Sequence, residues 1–194
     1  MTAGHAACAA TDFGSPLGRE AAAGRDSEGG RSLRGLRPPR SFKEVKGIPS
    51  NVRFGGTARI ARGHTAAQRN GLAYEVRVLD VLAAIYGIDF RPAPSILFTD
   101  RTGNRMAIPD GILKINNTLV VVEIKLSHTE RAWWQLTRLY SPLLARLVNP
   151  GTRIATVEIC RSYDPSVQFP GPSTFVTSLH RLPLADTGIL HWKI

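Results

Sequence analysis

Asp110, Glu123 and Lys125 are the residues in this chain whose types and spacing could do chemistry. Glu123 and Lys125 interrupt an apolar run, TLVVVEIKL, from Thr118 to Leu126. In an extended strand alternate side chains share a face. Val120, Val122, Ile124 and Leu126 would line one side, and Leu119, Val121, Glu123 and Lys125 the other. A carboxylate on a partly buried apolar face is costly unless it is paired, hydrogen-bonded or bound to a cation. Lys125 offers partial compensation. A second carboxylate nearby raises the cost unless a cation lies between the two.

Asp110 is the candidate second carboxylate. It stands six residues before Asn116, and Glu123 stands six after Asn117. An Asn116-Asn117 reversal between antiparallel strands would therefore set the two opposite each other, on one face, with Cβ atoms about 4.5–5.5 Å apart. That spacing suits one divalent ion, and oxygen-only ligands favour Mg²⁺ or Mn²⁺. Lys125 could hold and polarise a water molecule or contact a phosphate. Bland readings compete. Pro109-Asp110-Gly111 is itself a turn signal, and Glu-x-Lys on a strand is usually a solvated ion pair worth under about 1 kcal/mol. The adjacent Asn-Asn reversal and the apolar flank favour the site.

The surrounding pattern supplies elements to hold these groups. Thr65 and Gln68 have capping-box spacing, and a helix is expected from there to about Tyr86, with Gly87 as its stop. Leu72, Val76, Leu79, Leu82 and Tyr86 recur at helical spacing as a core stripe, with Glu75 beside it. Ser95–Thr99 reads as a short strand, residues 100–104 as a turn, and residues 105–115 as one strand bent at Pro109-Asp110-Gly111. After the strand at Thr118–Leu126, Ser127 and Glu130 form a second capping-box pair. The helix they open is expected to reach about Val148, kinked by Pro142. Arg153–Cys160 is a further strand, with weaker β signals over Ser173–Leu179 and Ile189–Ile194 and a short strand or strap around Val52–Phe54. The order predicts a layered α/β domain, a mixed sheet flanked by helices.

Asp110 after Pro109, followed by Glu123-Ile124-Lys125 on a strand, resembles the PD-(D/E)xK nuclease superfamily. The resemblance covers roughly residues 65–160 and implies a restriction-endonuclease-like core in the order α-β-β-β-α-β. It implies hydrolysis of DNA phosphodiester bonds with Mg²⁺ or Mn²⁺. Asp110, Glu123 and the Ile124 carbonyl would bind metal, and Lys125 would help activate the attacking water. In many members a glutamate on the preceding helix also serves the site, and Glu75 matches it as a further catalytic and metal-binding carboxylate. Some carry a glutamine on the following helix, which Gln135 resembles. RecB-like members place a tyrosine four residues after that glutamine, whereas here Tyr140 follows by five. Arg131, Arg138 and Arg146 are candidate phosphate contacts on that helix, and His128, just before it, a candidate phosphate or metal contact. Relatives of this kind often dimerise, so a homodimer is open, although no interface stripe stands out.

Composition agrees with a polyanion-binding protein. The 194 residues carry a net charge of +10. Residues 1–40 hold six arginines against four acids, leaving +8 for the remainder. Such a surplus attracts nucleic acid. Residues 1–40 are rich in Gly, Ala, Ser and Arg and are expected to be a flexible basic arm that raises DNA affinity or docks on a larger assembly. Residues 41–194 would form the nuclease-like domain. No run of about 18 uncharged apolar residues occurs, so no membrane span is expected. Cys8 and Cys160 suggest no bridge, which fits a reducing cytoplasm. Size and the Arg-rich arm suggest a phage or bacterial source, hence the host cytoplasm or a virion. The rival expectation is a catalytically inactive nucleic-acid-binding or structural module on the same fold.

Overall fold

The computed structural model describes residues 44–57, 65–164, 173–184 and 186–194. The expected basic arm over residues 1–40 lies outside them. The described residues form a mixed α/β structure with two sheets. The larger sheet contains β2 (Phe90–Pro92), β5 (Gly111–Ile115), β6 (Thr118–Ser127), β7 (Arg153–Ser162), β9 (Thr187–His191) and β8 (Ser173–Phe175), in that spatial order. Its β2–β5 and β5–β6 pairs are antiparallel, while β6–β7, β7–β9 and β8–β9 are parallel. The smaller, antiparallel sheet is β1 (Ser50–Thr57), β3 (Pro94–Asp100) and β4 (Gly103–Ala107). The segment expected as one bent strand over 105–115 is thus two strands, β4 and β5, in different sheets. Ile108, Pro109 and Asp110 carry the chain from one to the other.

Helix α1 (Ala66–Tyr86) begins as its caps direct. The Gln68 N–H donates to Thr65 Oγ1 at 3.1 Å, and the Thr65 N–H donates to the Gln68 side-chain oxygen at 2.8 Å. Gly87, with φ of 53°, ends it. The buried stripe differs from the expected one. Tyr74, Val78, Leu79 and Leu82 are buried, whereas Val76 is 40 % exposed. Tyr74 rolls the helix inward, because its ring fills the core while its hydroxyl donates to the Trp192 carbonyl at 2.8 Å.

Two cores lie on opposite faces of the large sheet. One joins α1 to Val120, Val122 and Ile124 of β6 and to Ala155, Val157 and Ile159 of β7. The other joins Val121 of β6 to Ile96, Phe98 and Ala107 of the small sheet and to Leu136, Tyr140, Leu143 and Leu144. Strand β6 is buried on both sides, which explains its continuous apolar run.

After β6 the helical stretch departs from expectation. Ser127 remains in the strand, its hydroxyl 3.1 Å from that of Ser162. Thr129, not Ser127, is the N-cap, and its hydroxyl accepts the Ala132 N–H at 3.3 Å. Helix α2 (Glu130–Trp134) passes into a π-helical segment, Gln135–Tyr140, and then into α3 (Ser141–Leu144), stopping before Val148. The Ser141 N–H bonds the Leu136 carbonyl, five residues back. Pro142, which lacks an N–H, sits in the first turn of α3.

Candidate active site

The β5–β6 ladder pairs Gly111 with Val122 and Ile115 with Thr118. That is the register the Asn-Asn reversal implies, and Asn116 takes the left-handed φ of 52° that closes it. Asp110 stands one residue beyond the ladder. Its carbonyl accepts the Ala93 N–H at 2.9 Å, tying it to the start of β3. Its side chain crosses toward β6, where Oδ2 accepts the Ile124 N–H at 2.6 Å. Gly111 serves packing here, since a Cβ on it would stand 2.6 Å from the Phe90 ring. The glycine therefore lets β5 pass Phe90 directly after the carboxylate.

Three charged side chains converge at this end of the sheet. Lys125 Nζ donates to Glu123 Oε1 at 2.5 Å and lies 3.7 Å from Asp110 Oδ2. Glu123 is 1 % exposed. Burial, then the Asp110 charge, push its carboxyl up to about 8, with Lys125 opposing. Burial also raises Asp110, against the pull of Lys125 and of the Ile124 N–H. Burial works against the Lys125 charge, but Glu123 and Asp110 outweigh it and hold the ammonium well above its ordinary value. Half-buried Glu75 joins the field from α1. Burial and then Asp110 raise it to about 7, and Lys125 opposes.

The donor set suits a hard cation. Glu123 Oε2 is buried with no hydrogen-bond partner. Residues of a strand direct their N–H and C=O to the same edge. The Ile124 carbonyl therefore emerges on the Asp110 side, past the end of the ladder. A carboxylate oxygen without a donor, a second carboxylate and a free strand edge give oxygen ligands of the kind Mg²⁺ takes. Among the described residues no group of three or more His, Cys, Asp or Glu side chains is gathered for a metal. The arrangement is thus a two-carboxylate one. Glu75, expected as a further metal ligand, is not gathered with them and acts through its charge, and Lys125 Nζ lies within reach of both carboxylates.

Gln135 meets this site through Tyr140. Gln135 Nε2 donates to the Tyr140 hydroxyl at 3.2 Å, and that hydroxyl donates to the Ile108 carbonyl at 3.0 Å. Burial first, then the charges of Glu123 and Asp110, raise the phenol well above its usual value. The π-helical segment explains the odd spacing. It inserts one residue per turn, so positions five apart share a face as positions four apart do in an α-helix. Gln135 and Tyr140 bound this segment and face each other across it.

His128 is a correction. Only 8 % exposed, it is turned inward with Nδ1 2.9 Å from Glu158 Oε2, and is not presented to a phosphate. Arg131 and Arg138 are exposed, Arg138 with its guanidinium 5.8 Å from the Trp134 ring centroid. Arg146 is exposed as well. Glu158 is the residue that the sequence reading misses. It is fully buried on β7, in register beside Glu123, and also accepts the Thr129 N–H at 3.0 Å. The signal was present, because Val157-Glu158-Ile159 repeats Val122-Glu123-Ile124 on the next strand.

Compared with protein-family models, with curated proteins and with solved structures, the chain finds no match in any of the three.

Proposed function

We propose that this chain is a metal-dependent DNA nuclease of the PD-(D/E)xK kind on a restriction-endonuclease-like core. One observation carries the reading. Asp110 and Glu123 come together from adjacent antiparallel strands, with Lys125 between them and one buried Glu123 oxygen lacking a donor. Asp110, Glu123 and the Ile124 carbonyl would hold Mg²⁺ or Mn²⁺. When bound, such an ion supplies a Lewis acid for the scissile phosphate and lowers the pKa of water. The residues of the chain do the rest. The Ile124 N–H fixes one Asp110 oxygen, and the other would be available as a metal ligand. Lys125, kept protonated by its two neighbours, orients the attacking water and places positive charge where the phosphorane gains negative charge. Glu75, poised near neutrality, can take the proton that the water gives up. Tyr140 and Gln135 wall the site on the small-sheet side, and Arg131 and Arg138 remain the candidate phosphate contacts.

A second reading has its own observation. Lys125 Nζ already lies within reach of both carboxylates, which partly neutralises the cluster without a metal. That would suit a non-catalytic nucleic-acid-binding or structural module. Incubating plasmid, linear, branched and RNA substrates with Mg²⁺ or Mn²⁺ separates the two. Cleavage that disappears in Asp110→Ala and Lys125→Ala supports the nuclease. Binding of DNA by wild-type protein without cleavage of any substrate supports the module.

A further inference from the structure

The outward face of the small sheet carries a groove of about 480 Å³ bordered by Asn51, Arg53, Leu97, Thr99 and Asn104. Arg53 is exposed and makes no ion pair with a described residue. The Thr99 hydroxyl donates to Asn104 Oδ1 at 2.8 Å, which leaves the Asn104 amide hydrogens available. Asn51 holds a left-handed φ of 51°, a conformation asparagine tolerates better than most residues.

The charge around the groove is one-sided. Its lining holds two basic residues, Arg53 and Arg105, and no acid. Arg105 pairs with Asp100 at 2.6 Å, which leaves Arg53 as the lining charge without an ion pair among the described residues. The surface therefore complements a polyanion. Its chemistry also selects among polyanions. Phe98, which underlies the groove, is 3 % exposed and offers no ring for stacking. Single strands and RNA loops are held largely by stacked bases, whereas amides and guanidinium groups read base edges in an intact duplex.

Position supports the same occupant. Asn104 precedes Asp110 by six residues, so at about 3.4 Å per residue the two are at most about 20 Å apart. One turn of duplex spans about 34 Å. The two therefore lie within the length of one duplex turn, and a β-ribbon fits a major groove.

We infer that this groove is a second contact for double-stranded DNA, in which Arg53, Asn51 and Asn104 meet phosphates and base edges away from the scissile bond. The inference rests on the nuclease reading and names the substrate as duplex. The test is fluorescence anisotropy of the full chain with a short labelled duplex across a salt series, Ca²⁺ replacing Mg²⁺. Arg53→Ala should weaken Kd about 5- to 10-fold and reduce the salt slope by about 1, and Arg53→Glu should weaken it further. Asn51→Ala and Asn104→Ala should change the ranking of duplexes of different sequence. Unchanged affinity and salt slope in both Arg53 variants would overturn the groove, as would an effect confined to single strands or RNA. Failure of wild-type protein to cut any substrate is a separate result. It removes the nuclease reading, whereas the Arg53 binding data judge the groove.

Discussion

Asp100 and Glu123 are both buried carboxylates next to a basic side chain, yet they are treated in opposite ways. Asp100, in the small sheet, accepts from the Thr102 N–H at 2.8 Å, the Thr102 hydroxyl at 2.6 Å, the Lys46 N–H at 3.1 Å and Arg105 at 2.6 Å. Burial opposes its charge, but these donors hold it well below the ordinary range. Glu123, in the large sheet, has Lys125 on one oxygen and no hydrogen bond within geometric limits on the other, which the Tyr140 phenol neighbours, and burial with the nearby Asp110 raises it. The first pattern closes a turn. The second leaves a carboxylate short of donors beside another carboxylate, and the proposed cation site rests on that shortage. Glu158 belongs with Asp100, since His128 and the Thr129 N–H take both of its oxygens.

The comparison breaks most sharply on catalysis. Asp110→Ala, Glu123→Ala and Lys125→Ala should each reduce Mg²⁺-dependent cleavage on the order of 10³-fold or more, the loss of several kcal/mol of transition-state stabilisation. Asp100→Ala should leave kcat within a few-fold. It should instead destabilise the fold by about 1–3 kcal/mol, because Arg105 and two N–H groups lose their acceptor. Cleavage rates and urea melts on the same four proteins decide it. Comparable rate losses at Asp100 and Glu123 would erase the distinction.

A smaller effect appears in the pH dependence of stability. Glu123 has a folded pKa of about 8 against an ordinary 4.5, and Glu75 about 7 against 4.5. Between those values the folded state holds protons that the unfolded chain has released. The stabilisation is complete below pH 4.5 and lost as pH rises toward 8. Without divalent metal, Tm should therefore fall across that window, by about 2–4 °C for each kcal/mol lost. Glu123→Gln should flatten much of the fall. Mg²⁺ should raise Tm more at pH 8 than at pH 5.5, since the ion competes with the proton. A flat metal-free Tm profile in wild-type protein would contradict the raised carboxyls.

Much of this site was legible because register follows from a reversal and a period of two. Asn116-Asn117 set Asp110 opposite Glu123, and alternation put Lys125 on the same face. Less local features escaped. The small sheet takes its strands from both sides of α1 in sequence, and no periodicity signals such pairing. Val76 fits a helical stripe as well as Val78 does, and the choice between them is made by Tyr74 reaching Trp192 across the fold. The π-helical segment hides behind an unremarkable QLTRLY. Its trace was the five-residue gap between Gln135 and Tyr140. His128 looked like a surface group because its partner, Glu158, lies thirty residues away.

That gap yields the next prediction. Tyr140→Phe removes the hydroxyl that links Gln135 to the Ile108 carbonyl, next to Pro109-Asp110. The expected result is a kcat about 10-fold lower, about one lost hydrogen bond's worth, with substrate affinity little changed. Gln135→Ala should give a similar or smaller loss, because it acts on the site through the same hydroxyl.

The smallest effect concerns how α2 begins, and it again sets a satisfied group against one that merely looked suited. Ser127 and Thr129 are both residues that cap helices. Ser127 stays in β6 because its hydroxyl meets Ser162 across the parallel ladder, and the chain leaves the sheet only when His128 and Thr129 turn to Glu158. Thr129 then takes an extended backbone and its hydroxyl receives the Ala132 N–H. Thr129→Ala should cost about 1 kcal/mol, and Ser127→Ala no more than about 0.5 kcal/mol. Glu158→Gln should cost more than either, since a neutral amide cannot accept from both His128 and the Thr129 N–H equally well. Chemical denaturation should rank Glu158→Gln as most costly, then Thr129→Ala, then Ser127→Ala. If Ser127→Ala proved the most costly, the start of α2 would lie two residues earlier and Glu158 would not be what fixes it.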